Sequence, residues 1–171
     1  WVSYMRMAML AEAKPVLAPT REANGFKLTA QELRQYITPK TKAIFCESIA
    51  NPGGIIVDLP AIAAVAKQAG VPLIVDNTLA TPYLCQPKAF GADIIVHSLT
   101  KFMGGHGNSI GGVIVDCGSF DWLASKRKFP TLQDPNPSYN GIRLAETFGN
   151  FAFAIACRVL GLRDFGPAIS P

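Results

Sequence analysis

Charge is scarce in this sequence. Charged residues fill 16% of its 171 positions, against about 25% in an ordinary soluble domain. Hydrophobic residues reach 49%, so the pairing of low hydrophobicity with high charge that marks intrinsic disorder is absent. Lys and Arg number 16 and Asp and Glu 12, a mild net charge of +4, and no nucleic-acid partner is expected. Long apolar runs are missing too. No stretch reaches the roughly 18 residues a membrane helix needs, because Asp, Glu, Lys or Pro interrupts every candidate. No membrane partner is expected. Cysteine is sparse: Cys46, Cys85, Cys117 and Cys157 form no CxxC, and the two histidines, His97 and His106, are not spaced as a zinc site. No metal is expected. Cys46 and Cys157 sit in apolar runs and read as buried thiols, which favours a reducing, cytoplasmic setting. No usable glycosylation sequon occurs, since Asn136-Pro137-Ser138 is blocked by its proline. The 15 Gly and 13 Pro are too dispersed for collagen or a low-complexity linker, and there is no internal repeat.

So little charge beside so much apolar surface suggests burial against something else, either a partner subunit or further sequence. The chain opens at Trp1 without a signal-peptide pattern and stops at Ile169-Ser170-Pro171 without a polar tail. The expectation is an excerpt of a longer protein.

What is present is an alternation of buried strands and helices. Strands are expected at Ala43–Cys46, Val71–Asp76, Asp93–His97 and Gly112–Asp116. These continuous Val, Ile and Leu runs suit strands covered on both faces. A helix is expected from Asp58 to Ala69, with Asp58 as cap, Pro60 in the first turn and Gly70 past the end. Thr29 and Glu32 form a capping box that opens a short helix to Tyr36. Residues 118–141, rich in Lys, Pro, Asp and Asn, read as an excursion over the surface. An apolar helix resumes from Leu144 to Leu160. Strands linked by helical crossovers give an α/β fold with a sheet at least partly parallel.

Ligands of such sheets sit at the carboxyl ends of the strands, and that edge is loaded here. One strand ends in Asp76-Asn77-Thr78. The next runs into His97-Ser98-Leu99-Thr100-Lys101, followed by the glycine-rich residues 104–107. An acid, an amine and two hydroxyls at neighbouring strand ends suit pyridoxal phosphate (PLP). That cofactor needs an amine for its aldehyde, an anion for its ring nitrogen and donors for its phosphate. Lys101, Asp76 and the Ser98/Thr100 pair fill these roles in order, the two hydroxyls sharing a side if the segment is extended. His97 reads as a packed strand-end residue and His106 as part of a loop. Lys126-Arg127-Lys128 reads as a solvated face.

These residues also carry a family resemblance. Val-Asp-Asn-Thr at 75–78, Ala-Thr-Pro-Tyr at 80–83 and His-Ser-Leu-Thr-Lys-Phe at 97–102 resemble the Cys/Met-metabolism family of PLP-dependent enzymes. Residues 104–115, 128–130, 135–141 and 161–164 are most similar to its O-acetylhomoserine sulfhydrylases. The resemblance covers about 43–171. It implies a fold type I, aspartate-aminotransferase-like large domain, a mostly parallel sheet with helices on both faces, here incomplete. It makes Lys101 the Schiff-base lysine and proton shuttle, Asp76 the partner of the ring nitrogen, and Ser98 and Thr100 phosphate ligands. It places Thr78 by the ring and Asn51 near the ring hydroxyl, although Asn51-Pro52 alone reads as a plain turn.

Residues 1–42 resemble class I aminotransferases instead, through Trp-Val-Ser-Tyr at 1–4, 18–22 and 24–29, with a possible join near 37–43. That resemblance makes Trp1 the aromatic stacked on the cofactor; a strand aromatic is the other reading. The join could be natural, recombinant or an assembly artefact.

Three functions follow as expectations. The first is γ-replacement in methionine biosynthesis, converting O-acetylhomoserine and sulfide to homocysteine and acetate. The second is another reaction on PLP, a γ-lyase or an aminotransferase. The third is a non-catalytic α/β fragment. The family resemblance further implies a small amino-acid substrate, a homo-oligomer, and groups outside Trp1–Pro171: a glycine-rich phosphate loop, a carboxylate-binding arginine and residues lent by a second subunit. These 171 residues alone are expected to be inactive.

Overall fold

Four of the apolar runs become the strands of one sheet. In the computed structural model, which describes residues 2–50 and 53–166, these are β1 (Ile44–Glu47), β4 (Leu73–Asp76), β5 (Ile94–Ser98) and β6 (Gly112–Asp116), in the order β1-β4-β5-β6. Between β1 and β4 lies a small antiparallel ribbon of β2 (Ile49–Ala50) and β3 (Ile55–Ile56), which sequence reasoning missed. Trp1 and Asn51 lie outside the described residues. β1, β4 and β5 run parallel, and β6 returns antiparallel to β5. The reason is the connection. A parallel return needs a crossover, usually helical, and residues 99–111 provide only one wide turn and a glycine-rich loop.

Helix α1 (Val2–Leu10) was not anticipated, while α2 (Ala30–Arg34) is opened by the Thr29–Glu32 capping box. Glu32 accepts from the Thr29 N–H (3.0 Å) and hydroxyl (2.8 Å), which holds its carboxyl below the usual value. α3 (Leu59–Ala69) starts at the Asp58 cap and ends at Gly70. Short helices follow: α4 (Thr81–Leu84), α5 (Pro130–Gln133), α6 (Leu144–Phe148), α7 (Ala152–Ala156) and α8 (Arg163–Phe165).

Both sheet faces are covered, which is why the strand sequences do not alternate. Leu73, Val75 and Ile95 pack with Ile62 and Val65 of α3 on one face. Ile74, Ile94 and Val96 face the other, against Trp122, Leu132, Leu144 and Ala152. Leu73 is fully buried at the start of the central strand β4. Leu73→Ala is expected to cost about 2–5 kcal/mol, since a closed core cannot collapse around the lost methyls. Urea unfolding followed by circular dichroism checks it.

Three expectations need correcting. Residues 118–141 are not only an excursion over the surface. Trp122 and Leu132 are buried in the second core, and Trp122 stacks on Phe153 at 5.6 Å with Phe120 and Phe129 edge-on to it. Apolar side chains spaced among the polar ones make this stretch a cover for the sheet. Nor is Leu144–Leu160 one helix. Gly149, at φ 52 and ψ −123, breaks it between α6 and α7, a backbone region that L-residues rarely enter. The basic run 126–128 also splits in role. Lys126 and Lys128 are exposed, whereas Arg127 donates to the Pro39 and Ala69 carbonyls and ties this cover to the end of α3.

Candidate active site

Three parallel strands end side by side, and their last residues make the floor of a cleft. The register pairs Glu47 of β1 with Asp76 of β4, while Asp76 lies opposite Val96 of β5, two residues before Ser98. Neighbouring strands lie about 4.8 Å apart, so side chains at these ends reach the same space. The cleft holds about 460 Å³ and is lined by Asp76, Thr78, Ser98, Thr100 and Lys101, with Tyr4 and Glu47 at its side. Five of the sequence-expected residues therefore meet in one place.

Asp76 is held at both oxygens. Its Oδ1 accepts the Thr78 N–H at 2.9 Å, and its Oδ2 accepts the Tyr4 hydroxyl at 2.6 Å. The Thr78 Oγ1 accepts the Ser98 N–H at 2.8 Å, so one threonine joins the ends of β4 and β5. Below them Asn77 is fully buried. It accepts from the Ser48 hydroxyl at 2.7 Å and donates to the Thr81 and Cys85 carbonyls at 3.1 and 2.8 Å. This network makes the turn after β4 rigid, because each of those polar groups would be costly to leave unpaired in the interior.

After Ser98 the chain does not stay extended, as the sequence suggested, but winds into a wide helical turn, Leu99–Met103. Lys101 kinks that turn, with φ −90 and ψ −131, and its exposed ammonium has no hydrogen-bond or ion-pair partner among the described residues. The turn closes where the Gly104 N–H meets the Leu99 carbonyl at 2.9 Å. A Cβ on Gly104 would lie 2.5 Å from that same oxygen, so only glycine permits the closure. Thr100 is tied to the following loop: its hydroxyl accepts the Gly111 N–H at 3.0 Å and donates to the Gly111 carbonyl at 3.3 Å. Ser98 thus brings the uncommitted hydroxyl of the pair. His97 is packed at 6% exposure, as expected, and burial lowers its pKa. His106 is exposed in the loop.

Sequence reasoning missed Tyr4, Glu47 and Asn77. Glu47 could have been found as the strand-end neighbour of Asp76. Tyr4 could not, since its contact spans 72 positions.

All four cysteines are unbridged. Burial pushes the Cys46 thiol up to about 12, and the other three thiols also upward. The thiolate is the reactive form. Cys46 is therefore expected to resist iodoacetamide at pH 8 in the folded protein and to label at least tenfold faster in denaturant; peptide mass mapping reads it. Among the described residues there is no group of three His, Cys, Asp or Glu able to hold a metal, and no helix long and apolar enough to cross a membrane.

The donor set fits PLP: a free amine, a fixed carboxylate with a spare lone pair on each oxygen, and an open hydroxyl, all on one cleft. The comparisons agree. The chain is 49% identical over 149 residues to the O-acetyl-L-homoserine sulfhydrylase of Leptospira meyeri, covering 82% of this chain and 33% of that protein. It is 50% identical over 141 residues to the homocysteine synthase of Schizosaccharomyces pombe, with the same coverage. It thus spans about a third of the length of the curated relatives it matches. A crystal structure from Campylobacter jejuni, described as an O-acetylhomoserine (thiol)-lyase and holding a pyridoxyl-lysine monophosphate, superposes with a TM-score of 0.74 at 36% identity, covering 82% of this chain and 35% of that one. An O-acetylhomoserine sulfhydrylase of Wolinella succinogenes gives 0.66 at 34%, covering 83% and 36%. The fold is therefore that of PLP-dependent enzymes of this kind, α/β with a mostly parallel sheet. With residues 23–171 matching the family as a whole, starting upstream of the stretch first recognised, the chain belongs to the Cys/Met metabolism PLP-dependent enzymes.

Proposed function

We propose that the protein carrying these residues replaces the γ-acetoxy group of O-acetylhomoserine with sulfide, giving homocysteine and acetate. The observation that carries this reading is the single cleft that gathers Lys101, Asp76, Ser98 and Thr100. The names of the relatives choose among the reactions such a site could run. PLP, when bound, supplies an aldehyde that carries the amino substrate and a ring that takes up negative charge from its α-carbon.

The chain's own residues do the rest. The Lys101 amine holds the cofactor and then moves protons at the substrate carbons, a role suited to an amine free of competing partners. Asp76 keeps its carboxylate against the ring nitrogen, aimed by the Thr78 N–H. Ser98 donates to the phosphate, and Thr100 fixes the loop at Gly111 that borders it. Thr78 joins the two strand ends beside the residues that would hold the ring. Residues 1–171 form the central part of a larger PLP-binding domain, and the family match from residue 23 runs across the possible join near 37–43.

The protein works as a transferase in the cytoplasm and as a homo-oligomer. Unbridged thiols support the first setting. Exposed apolar side chains, such as Tyr83 at 93% and Ile110 at 81%, support the assembly. The test is sulfide-dependent release of acetate from O-acetylhomoserine. Release without sulfide, or a half-reaction with 2-oxoglutarate, assigns the site to a lyase or an aminotransferase instead.

A further inference from the structure

Tyr4 reaches the site from α1, far from the strands in sequence. Its phenol oxygen lies 2.6 Å from Asp76 Oδ2 and 3.1 Å from Glu47 Oε1. Its ring rests on Phe45 of β1, with centroids 4.4 Å apart. A phenol has one proton to donate, and the shorter contact gives it to Asp76. Burial is the largest cause raising the Tyr4 pKa, followed by the hydrogen bond to Asp76 and the charges of Asp76 and Glu47, so the hydroxyl stays a donor. Asp76 is then gripped on both oxygens, by Thr78 N–H and Tyr4 O–H, which fixes the plane of its carboxylate. Each oxygen keeps a lone pair for a third donor in the cleft.

We propose that Tyr4 is a positioning residue for the cofactor site: its hydroxyl, anchored by Phe45, sets the orientation in which Asp76 receives a cationic ring N–H. The inference rests on the assignment of Asp76 to the ring nitrogen. A carboxylate that is held before binding loses less freedom on binding. A hydrogen bond to a charged acceptor is also stronger than one between neutral groups.

The test uses the protein carrying this chain, stripped of cofactor and titrated with PLP. Tyr4→Phe keeps the ring on Phe45 and removes only the hydroxyl. It is expected to weaken PLP binding about tenfold and to move the visible band of the bound cofactor in the direction that Asp76→Asn moves it, with thermal unfolding little changed. Wild-type affinity and band in Tyr4→Phe, with an altered band in Asp76→Asn, overturn this inference and leave the Asp76 assignment standing. No change in either variant overturns the Asp76 assignment and this inference with it. A lowered unfolding temperature with wild-type affinity and band shows a structural role only and overturns the inference. Should Tyr4→Phe fail to fold, Tyr4→Met, which also removes the hydroxyl, decides by the same readouts: a band moved as in Asp76→Asn supports the positioning role, and the wild-type band overturns it.

Discussion

Lys101→Ala is expected to leave the fold intact and to abolish covalent retention of PLP. The two halves of that outcome have separate causes. The Lys101 side chain is exposed and makes no hydrogen bond or ion pair among the described residues. Exposed positions of that kind change stability by only about 0.5 kcal/mol. Chemically the loss is complete, because among the described residues no other amine lines the cleft and a Schiff base to an aldehyde needs an amine. Proton transfer by a positioned side chain is worth about 10²–10⁴ in rate, so turnover falls by at least that. Borohydride reduction followed by peptide mass spectrometry reads the attachment, which is expected on Lys101 in the wild type and lost in the variant. A reduced adduct on another lysine sinks the assignment.

Asp76→Ala is expected to damage both activity and stability, the reverse of the Lys101 pattern. Asp76 accepts the Thr78 N–H and the Tyr4 hydroxyl. Removing the carboxylate strands the Thr78 N–H in a partly buried site, at about 1–3 kcal/mol, and leaves the Tyr4 hydroxyl its longer contact to Glu47. It also removes the carboxylate proposed to keep the cofactor ring cationic. Losing one preorganised electrostatic group typically costs about 10²–10³ in turnover. Steady-state kinetics with saturating PLP, run beside a thermal melt, separates the two losses. Full activity at saturating PLP rules out this role for Asp76.

Much of this site was legible in the residues. Asp76, Ser98 and Lys101 stand at ends of apolar runs, and the rule that ligands gather at strand ends needs only the strands. The elements with strong local signals also came through. The Asp58 cap, Pro60 and Gly70 bound α3, and Thr29 with Glu32 opens α2. Local chemistry decides these, so a window of a few residues suffices. Where reading failed, the deciding interaction was distant or conformational. Gly149 sits inside an apolar run that looks helical until its φ and ψ are seen. Trp122 and Leu132 looked like loop residues because their partners lie across the sheet.

The sequence by itself determined the α/β class and the cofactor, and it pointed to the strand ends where the candidate residues gather, since these follow from composition, short spacings and motif identity. Tertiary structure alone decided the antiparallel return of β6, the wide turn that presents Lys101, the tie of Thr100 to Gly111, and the grip of Tyr4 and Thr78 on Asp76. The physical reason is range. Strand periodicity and caps are set by neighbours along the chain, whereas the direction of a hydrogen bond is set by whichever group the fold brings within 3 Å.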